Sequence, residues 1–155
     1  MHDTARDILA SARQAGCEIL LPQDVVVADH LARDVPVRTV SLNAVPPDTM
    51  ILDVGPATVQ ALVQRVSDWR TLVWNGPLGA FETPPFDVAS VALARAVAAA
   101  TEAGRLVCVA GGGDTVAVLN QAGVSASLTY VSTAGGAFLE WLEGRTLPGV
   151  AALDA

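Results

Sequence analysis

The chain has 155 residues, of which 52% are hydrophobic and 16% charged, and its formal net charge is −7. That size and apolar content suit one packed domain and exclude a disordered chain, while the acidity excludes a general nucleic-acid binder, which needs basic surface to displace counterions. No run of about 18 uncharged apolar residues occurs, and Met1-His2-Asp3-Thr4 does not open a secretory leader, so no membrane span is expected and the expected location is the cytoplasm.

In chain order, Thr4 to Ala15 is predicted to be a helix, because Ile8, Leu9 and Ala12 recur at helical spacing and Gly16 stops it. "CEILLP" reads as a short strand ended by Pro22, and "DVVVAD" and "VRTVSL" as two more. Pro46-Pro47-Asp48 is a turn. "MILDVG" is a strand, and Pro56 opens a helix running to about Ser67, since proline is favoured at the first helical position. "TLVWNG" is a strand followed by the loop "PLGAFETPPFD". The Ala-rich stretch Val88 to Ala103 is the longest predicted helix, stopped by Gly104. Then come the strand and turn "RLVCVAGGGD", a helix from Asp114 to Gln121, the strand and turn "LTYVSTAGG", and a short helix from Ala137 to Glu143.

Strand and helix alternate, and the strands are continuously apolar. Both faces of the sheet are therefore expected to be covered, which predicts an α/β chain: a three-layer, Rossmann-like α/β/α domain over residues 1–155 with a mostly parallel sheet. The two cysteines, Cys17 and Cys108, are too few for a disulfide framework and are expected to be reduced core residues. His2 and His30 read as surface residues.

Four strands end in Gly-containing turns, "DVGP", "WNGPLG", "AGGGDT" and "STAGG". In an open parallel sheet such ends share the carboxyl edge, where ligands bind. In "GGGDT" the glycines allow close backbone approach, and the helix behind them offers free amides and a positive dipole end, a natural receptor for phosphate. Asp114 could hold a hard cation such as Mg²⁺ or could cap the helix. The spacing is neither a Walker A loop nor GxGxxG. In "WNGPLGAFE", Asn75 can donate and accept at the edge, and Glu82 could accept from sugar hydroxyls or be an exposed loop residue. The Gly135-Gly136 amides, with Ser132 and Thr133, could receive a second phosphate group or could simply form a tight turn. Asp53 points to the same edge and reads equally as a turn-stabilising residue.

Together and in order, "ILLPQDVVVAD", "MILDVGPAT", "LVWNGPLGAFE", "VAGGGDTVAVLNQAG", "YVSTAGGAFLEWLEG" and "LPGVAAL" resemble phosphoglycerate kinase over nearly the whole chain from Gly16 onward. The resemblance implies phosphoryl transfer between 1,3-bisphosphoglycerate and ADP, giving 3-phosphoglycerate and ATP in glycolysis, with Mg²⁺. It implies that Gly112, Gly113, Asp114 and Thr115 hold the nucleotide phosphates, with Asp114 on Mg²⁺. Glu82 would bind the ribose, and Leu52, Asn75 and Pro77 would line the nucleotide cleft. Thr133, Gly135 and Gly136 would face the transferring phosphoryl. Three positions depart from the family's common pattern: Ala134 stands where a glycine is usual, Tyr130 stands near a histidine's place, and Ile51 stands where many members have glycine.

What matches is the later part of the family's C-terminal, nucleotide-binding domain. The phosphoglycerate-binding N-terminal domain and the start of the nucleotide domain are outside it, so the domain is expected to be incomplete, with an unpaired sheet edge and exposed apolar helix surface. The sequence has no lysine, and none of its arginines lies in a Gly-rich turn. Phosphoryl transfer depends on cations around spread negative charge. The chain alone is therefore expected to be inactive and to need a complementing N-terminal portion. A non-catalytic nucleotide-binding module and an inactive structural remnant are the alternatives.

Overall fold

Two three-stranded sheets organise residues 2–132 and 135–153, which the computed structural model describes. The elements run α1 (His2–Gln14), β1 (Asp24–Ala28), β2 (Arg38–Ser41), β3 (Met50–Val54), α2 (Pro56–Arg65), β4 (Thr71–Asn75), α3 (Val88–Glu102), β5 (Val107–Gly111), α4 (Gly113–Ala122), β6 (Tyr130–Ser132), α5 (Gly135–Leu142) and α6 (Pro148–Ala151). The α/β, Rossmann-like class expected from the sequence is the observed one.

The parallel arrangement is confined to β4, β5 and β6, ordered β4-β5-β6, while β2-β1-β3 is antiparallel. The reason is the length of the links. Helices α3 and α4 carry the chain back between successive strands of the parallel sheet. The link Asp29–Val37 contains no α-helix and falls short of the dozen or so residues that a parallel crossover takes, so β2 returns antiparallel to β1. Strand β3 lies on the other side of β1, also antiparallel to it and so in the same direction as β2. The expectation that four Gly-rich turns share one parallel edge is corrected accordingly. Three do, because the registers Asn75↔Gly111 and Gly111↔Ser132 align the ends of β4, β5 and β6. The "DVGP" turn belongs to the other sheet.

The main core lies between the parallel sheet and the helices, around Trp74, Val97, Cys108, Ala110 and Leu119. Helix α3 buries Ala89, Ser90, Leu93, Ala94, Val97, Ala98 and Ala100. Its small side chains let it lie close to α2, α4, β3 and β5. A second cluster joins Ala28, Leu52 and Phe86 under the antiparallel sheet.

"CEILLP" forms no strand. It runs from the end of α1 to β1 without a ladder partner, and Leu20 and Leu21 are exposed. Cys17 is therefore exposed too, which corrects its reading as a core residue. Cys108 is buried as expected, and burial pushes its thiol up to about 11, which makes it chemically inert at neutral pH.

Asp24 joins β1 to α2. The N-cap of α2 is Gly55, which has no side chain to offer. The Asp24 carboxylate takes over, accepting from the Ala57 amide (3.0 Å), the Thr58 amide (2.8 Å) and the Thr58 hydroxyl (2.6 Å). Burial pushes this carboxyl up, but the bonds from Thr58 and Ala57 outweigh burial and hold it below its ordinary 3.8. Its contribution to stability is thus fully present above pH 3.8 and is lost as pH falls through the lowered value. Asp24→Ala is expected to lower the unfolding free energy by about 1–2 kcal/mol in urea titrations at pH 7. The difference from the parent chain should shrink below pH 3.8.

Candidate functional site

The site is built where β5 meets α4. Gly112 has φ +94, a conformation that strains any residue with a side chain, and it forms the N-cap of α4. The Val116 amide donates to the Gly112 carbonyl at 3.0 Å. The amides of Gly113, Asp114 and Thr115 precede this ladder, at the positive end of the helix dipole. A cleft of about 190 Å³ opens over them, lined by Asn75, Gly76, Gly112, Gly113, Asp114 and Thr115. That is smaller than the roughly 300–1,000 Å³ of whole small-molecule sites, and it suits an anionic group such as a phosphate rather than a complete ligand. No arginine is among the lining residues.

Asp114 is exposed and occupies the second position of α4. The cap position belongs to Gly112, and no side chain caps this helix, so Asp114 does not do so. Its carboxylate makes no hydrogen bond or ion pair among the described residues, leaving both oxygens open to solvent or ligand. Thr115 behaves differently. It is 1% exposed, and its hydroxyl accepts from the Gly76 amide at 2.7 Å. That bond ties the turn after β4 to the turn after β5, and the hydroxyl proton remains available to donate. Asn75 stands across from Gly112: a Cβ on Gly112 would lie 3.2 Å from the Asn75 Oδ1.

The loop after β4 is held at several points. Gly76 accepts from the Trp74 indole at 2.6 Å, the Leu78 amide donates to the Ser90 hydroxyl at 2.9 Å, and the Ala80 amide donates to the Leu52 carbonyl at 2.8 Å. Leu52 is buried and lines a second, apolar cleft of about 370 Å³ with Ile51, Leu78, Gly79 and Ala80. Pro77 is half-buried and Glu82 exposed, and neither lines either cleft. The cleft thus brings together Asn75, Gly112, Gly113, Asp114 and Thr115, while Leu52, Pro77 and Glu82 are not among its lining residues. Gly135 is buried against the Gly111–Gly112 backbone, and Gly136 is exposed in the first turn of α5. Thr133 lies outside the described residues.

Two supporting residues carried little sequence signal. Ser90 is fully buried and holds the loop through Leu78, and its only sign is a hydroxyl within an otherwise apolar helix face. Asp53, which the sequence left undecided, is 3% exposed, and desolvation pushes its carboxyl up to about 6.

Fold and cleft together define an α/β domain with an anion-receiving turn at the carboxyl edge of a parallel sheet. The family model "Phosphoglycerate kinase" matches residues 1–145, and the chain belongs to that family. It is 65% identical over its full length to a phosphoglycerate kinase of Granulibacter bethesdensis and 61% identical to one of Dinoroseobacter shibae, and in both cases it spans 39% of the relative's length. The solved phosphoglycerate kinase of Coxiella burnetii matches with a TM-score of 0.90 at 40% identity, covering 98% of this chain and 38% of that one.

Proposed function

We propose that this chain is the nucleotide-phosphate half of a phosphoglycerate kinase, corresponding to the later part of the C-terminal nucleotide-binding domain. The family reaction is reversible phosphoryl transfer between 1,3-bisphosphoglycerate and ADP, giving 3-phosphoglycerate and ATP. The observation that carries the reading is the small cleft in which Asn75 faces the glycine turn and free amides of α4. Phosphate oxygens of ADP or ATP would accept from the Gly113, Asp114 and Thr115 amides, with Gly112 allowing close approach. The Thr115 hydroxyl can donate to the same group. Leu52, with its apolar cleft, suits the base end of the nucleotide, and Pro77 and Glu82 lie on the loop that would reach the ribose. Thr133, Gly135 and Gly136 would meet the transferring phosphoryl group.

The residues fit Mg²⁺. Among the described residues no group of three or more acidic, His or Cys side chains forms a closed metal site. Mg²⁺ takes one or two carboxylates together with phosphate oxygens and waters, and the open Asp114 carboxylate beside the cleft supplies the protein's share. When bound, the ion would neutralise charge on the phosphates.

The same geometry argues that the half-site is not sufficient. The cleft is lined by backbone amides and the side chains of Asn75, Asp114 and Thr115, and no cationic side chain is among them. Transfer through a loose, highly charged transition state depends on cations placed around it. Strand β4 pairs only with β5 among the described residues, Val73 on it is 46% exposed, and α1 buries none of its residues. The remaining cations, the phosphoglycerate site and cover for this edge would come from a complementing portion. A cytoplasmic setting goes with this reading, because the family's substrates are soluble metabolites. No described helix is long and apolar enough to cross a membrane.

A coupled phosphoglycerate kinase assay tests the proposal, run on the chain with and without the N-terminal portion of a full-length relative. Turnover is expected only with the complement. Turnover without it would overturn the argument from missing cations. Saturable Mg·ADP binding with no turnover even after complementation would favour a non-catalytic nucleotide-binding module. Neither binding nor turnover would leave a structural remnant.

A further inference from the structure

We propose that Asp53 is a positioning residue for the nucleotide loop: from β3 its carboxylate grips the start of α3 and seats Gly79, and so sets where Pro77 and Glu82 stand. This inference rests on the function proposed above.

The start of α3 lacks a cap of its own. Asp87 is at the cap position but makes no side-chain cap bond, and its carboxylate instead accepts from the Gln121 amide group at 2.7 Å. The open amide of Ala89, in the first turn, donates to the Asp53 Oδ2 at 3.2 Å, while the Val54 amide donates to Oδ1 at 2.8 Å. Thus a strand residue 36 positions earlier in the chain terminates the helix electrostatically. The other side of the carboxylate is covered by the loop. A Cβ on Gly79 would overlap Asp53 Oδ1 and would lie 2.6 Å from the Phe86 carbonyl, so the Gly79 backbone sits directly on the carboxyl group. One residue on, Ala80 is bonded to the Leu52 carbonyl, and Glu82 follows within the same turn, where the Thr83 amide donates to the Ala80 carbonyl at 2.9 Å. The position of Glu82 is therefore set through Gly79 and Ala80 by the group beneath them.

An ionised carboxylate accepts from both amides, and protonating it places a donor where an amide already donates. Desolvation pushes this carboxyl up to about 6. The Ala89 and Val54 amides work against that, and the Asp87 carboxylate adds a small push in the same direction as desolvation. Asp87, in the segment before α3, is the titratable neighbour that acts on it; Gly79, Phe86, Ala89 and Val54 bring backbone and apolar atoms. Because the folded value lies above the ordinary 3.8, Asp53 takes up its proton earlier in the folded chain. Its ionised form weakens the fold above pH 6, and that loss is recovered as pH falls from 6 toward 3.8. A buried carboxylate kept ionised at a cost to stability fits a role at a site better than a role in the core.

The test has two arms. In the chain alone, amide NMR resonances of Gly79, Ala80, Glu82 and Ala89 are expected to titrate together with a midpoint near pH 6. Asp53→Asn should abolish that titration. Asp87→Asn, which keeps an acceptor for Gln121, should lower its midpoint with the fold intact. In the enzyme reconstituted with its complement, Asp53→Asn should raise the KM for ADP about tenfold with kcat nearly unchanged. Combining it with Glu82→Gln should add little, because both act through one contact. Loop amides that ignore pH and Asp87→Asn would overturn the proposal. So would an Asp53→Asn enzyme with unchanged KM. Absence of turnover with the parent chain and its complement would instead show that the function reading itself had failed.

Discussion

Gly135→Ala is expected to reduce turnover of the reconstituted enzyme by about 100-fold, whereas Gly136→Ala leaves it within a factor of about three. A Cβ on Gly135 would overlap the backbone N and Cα of Gly112 and lie 3.1 Å from the Gly111 carbonyl carbon. These atoms belong to the phosphate turn and cannot rotate aside. Either α5 moves outward by about an ångström or the turn deforms, and overpacking of this kind costs roughly 1–3 kcal/mol. A displacement of about 1 Å in a positioning element is enough for a 100-fold loss. At Gly136 a Cβ would meet nothing within 4 Å, and alanine there keeps the backbone amide. That substitution should instead raise stability slightly, since alanine is favoured over glycine in a helix by about 1 kcal/mol. Steady-state kinetics and urea unfolding of the two variants check the pair. Equal effects at both positions would mean that glycine is needed at these sites for something other than the contact with Gly112.

Thr115→Val should lower the unfolding free energy by about 1–3 kcal/mol and raise the KM for ADP about tenfold in the reconstituted enzyme. Valine fills the same space but cannot accept from the Gly76 amide, which then loses its 2.7 Å partner beside a buried residue. The turns after β4 and β5 would be uncoupled, and the phosphate group would lose a hydroxyl donor. Thr115→Ser keeps the hydroxyl and should restore most of the affinity. Urea titration and ADP saturation curves on both variants separate the two contributions. Failure of serine, which keeps the hydroxyl, to perform better than valine, which keeps the methyl group, would overturn the assignment of the effect to the hydrogen bond with Gly76.

Much of the site could be read from the chain because turn chemistry is local. Gly112 needs a positive φ whatever surrounds it, and the amides behind it are free because a helix begins there. Asn75 and Gly111 end up side by side because two apolar strands joined through a helix pair in parallel. The reading lost ground where a residue acts across the fold. A cap on α4 stayed open as the alternative role for Asp114 until the structure placed Gly112 at the cap. Cys17 was expected in the core because "CEILLP" is apolar, but an apolar run becomes a buried strand only if another strand pairs with it.

The sequence by itself determined the alternation of strands and helices, the glycine turns at the ends of β4 and β5, and the family, because each depends on residues adjacent in the chain. The tertiary structure decided the antiparallel first sheet, the service of Asp24 and Asp53 to helices that start far along the chain, and the contact of Gly135 with Gly112. Those features depend on which distant segments meet. A carboxylate can cap a helix 36 residues away only once packing has brought the two together and excluded the water that would otherwise satisfy both.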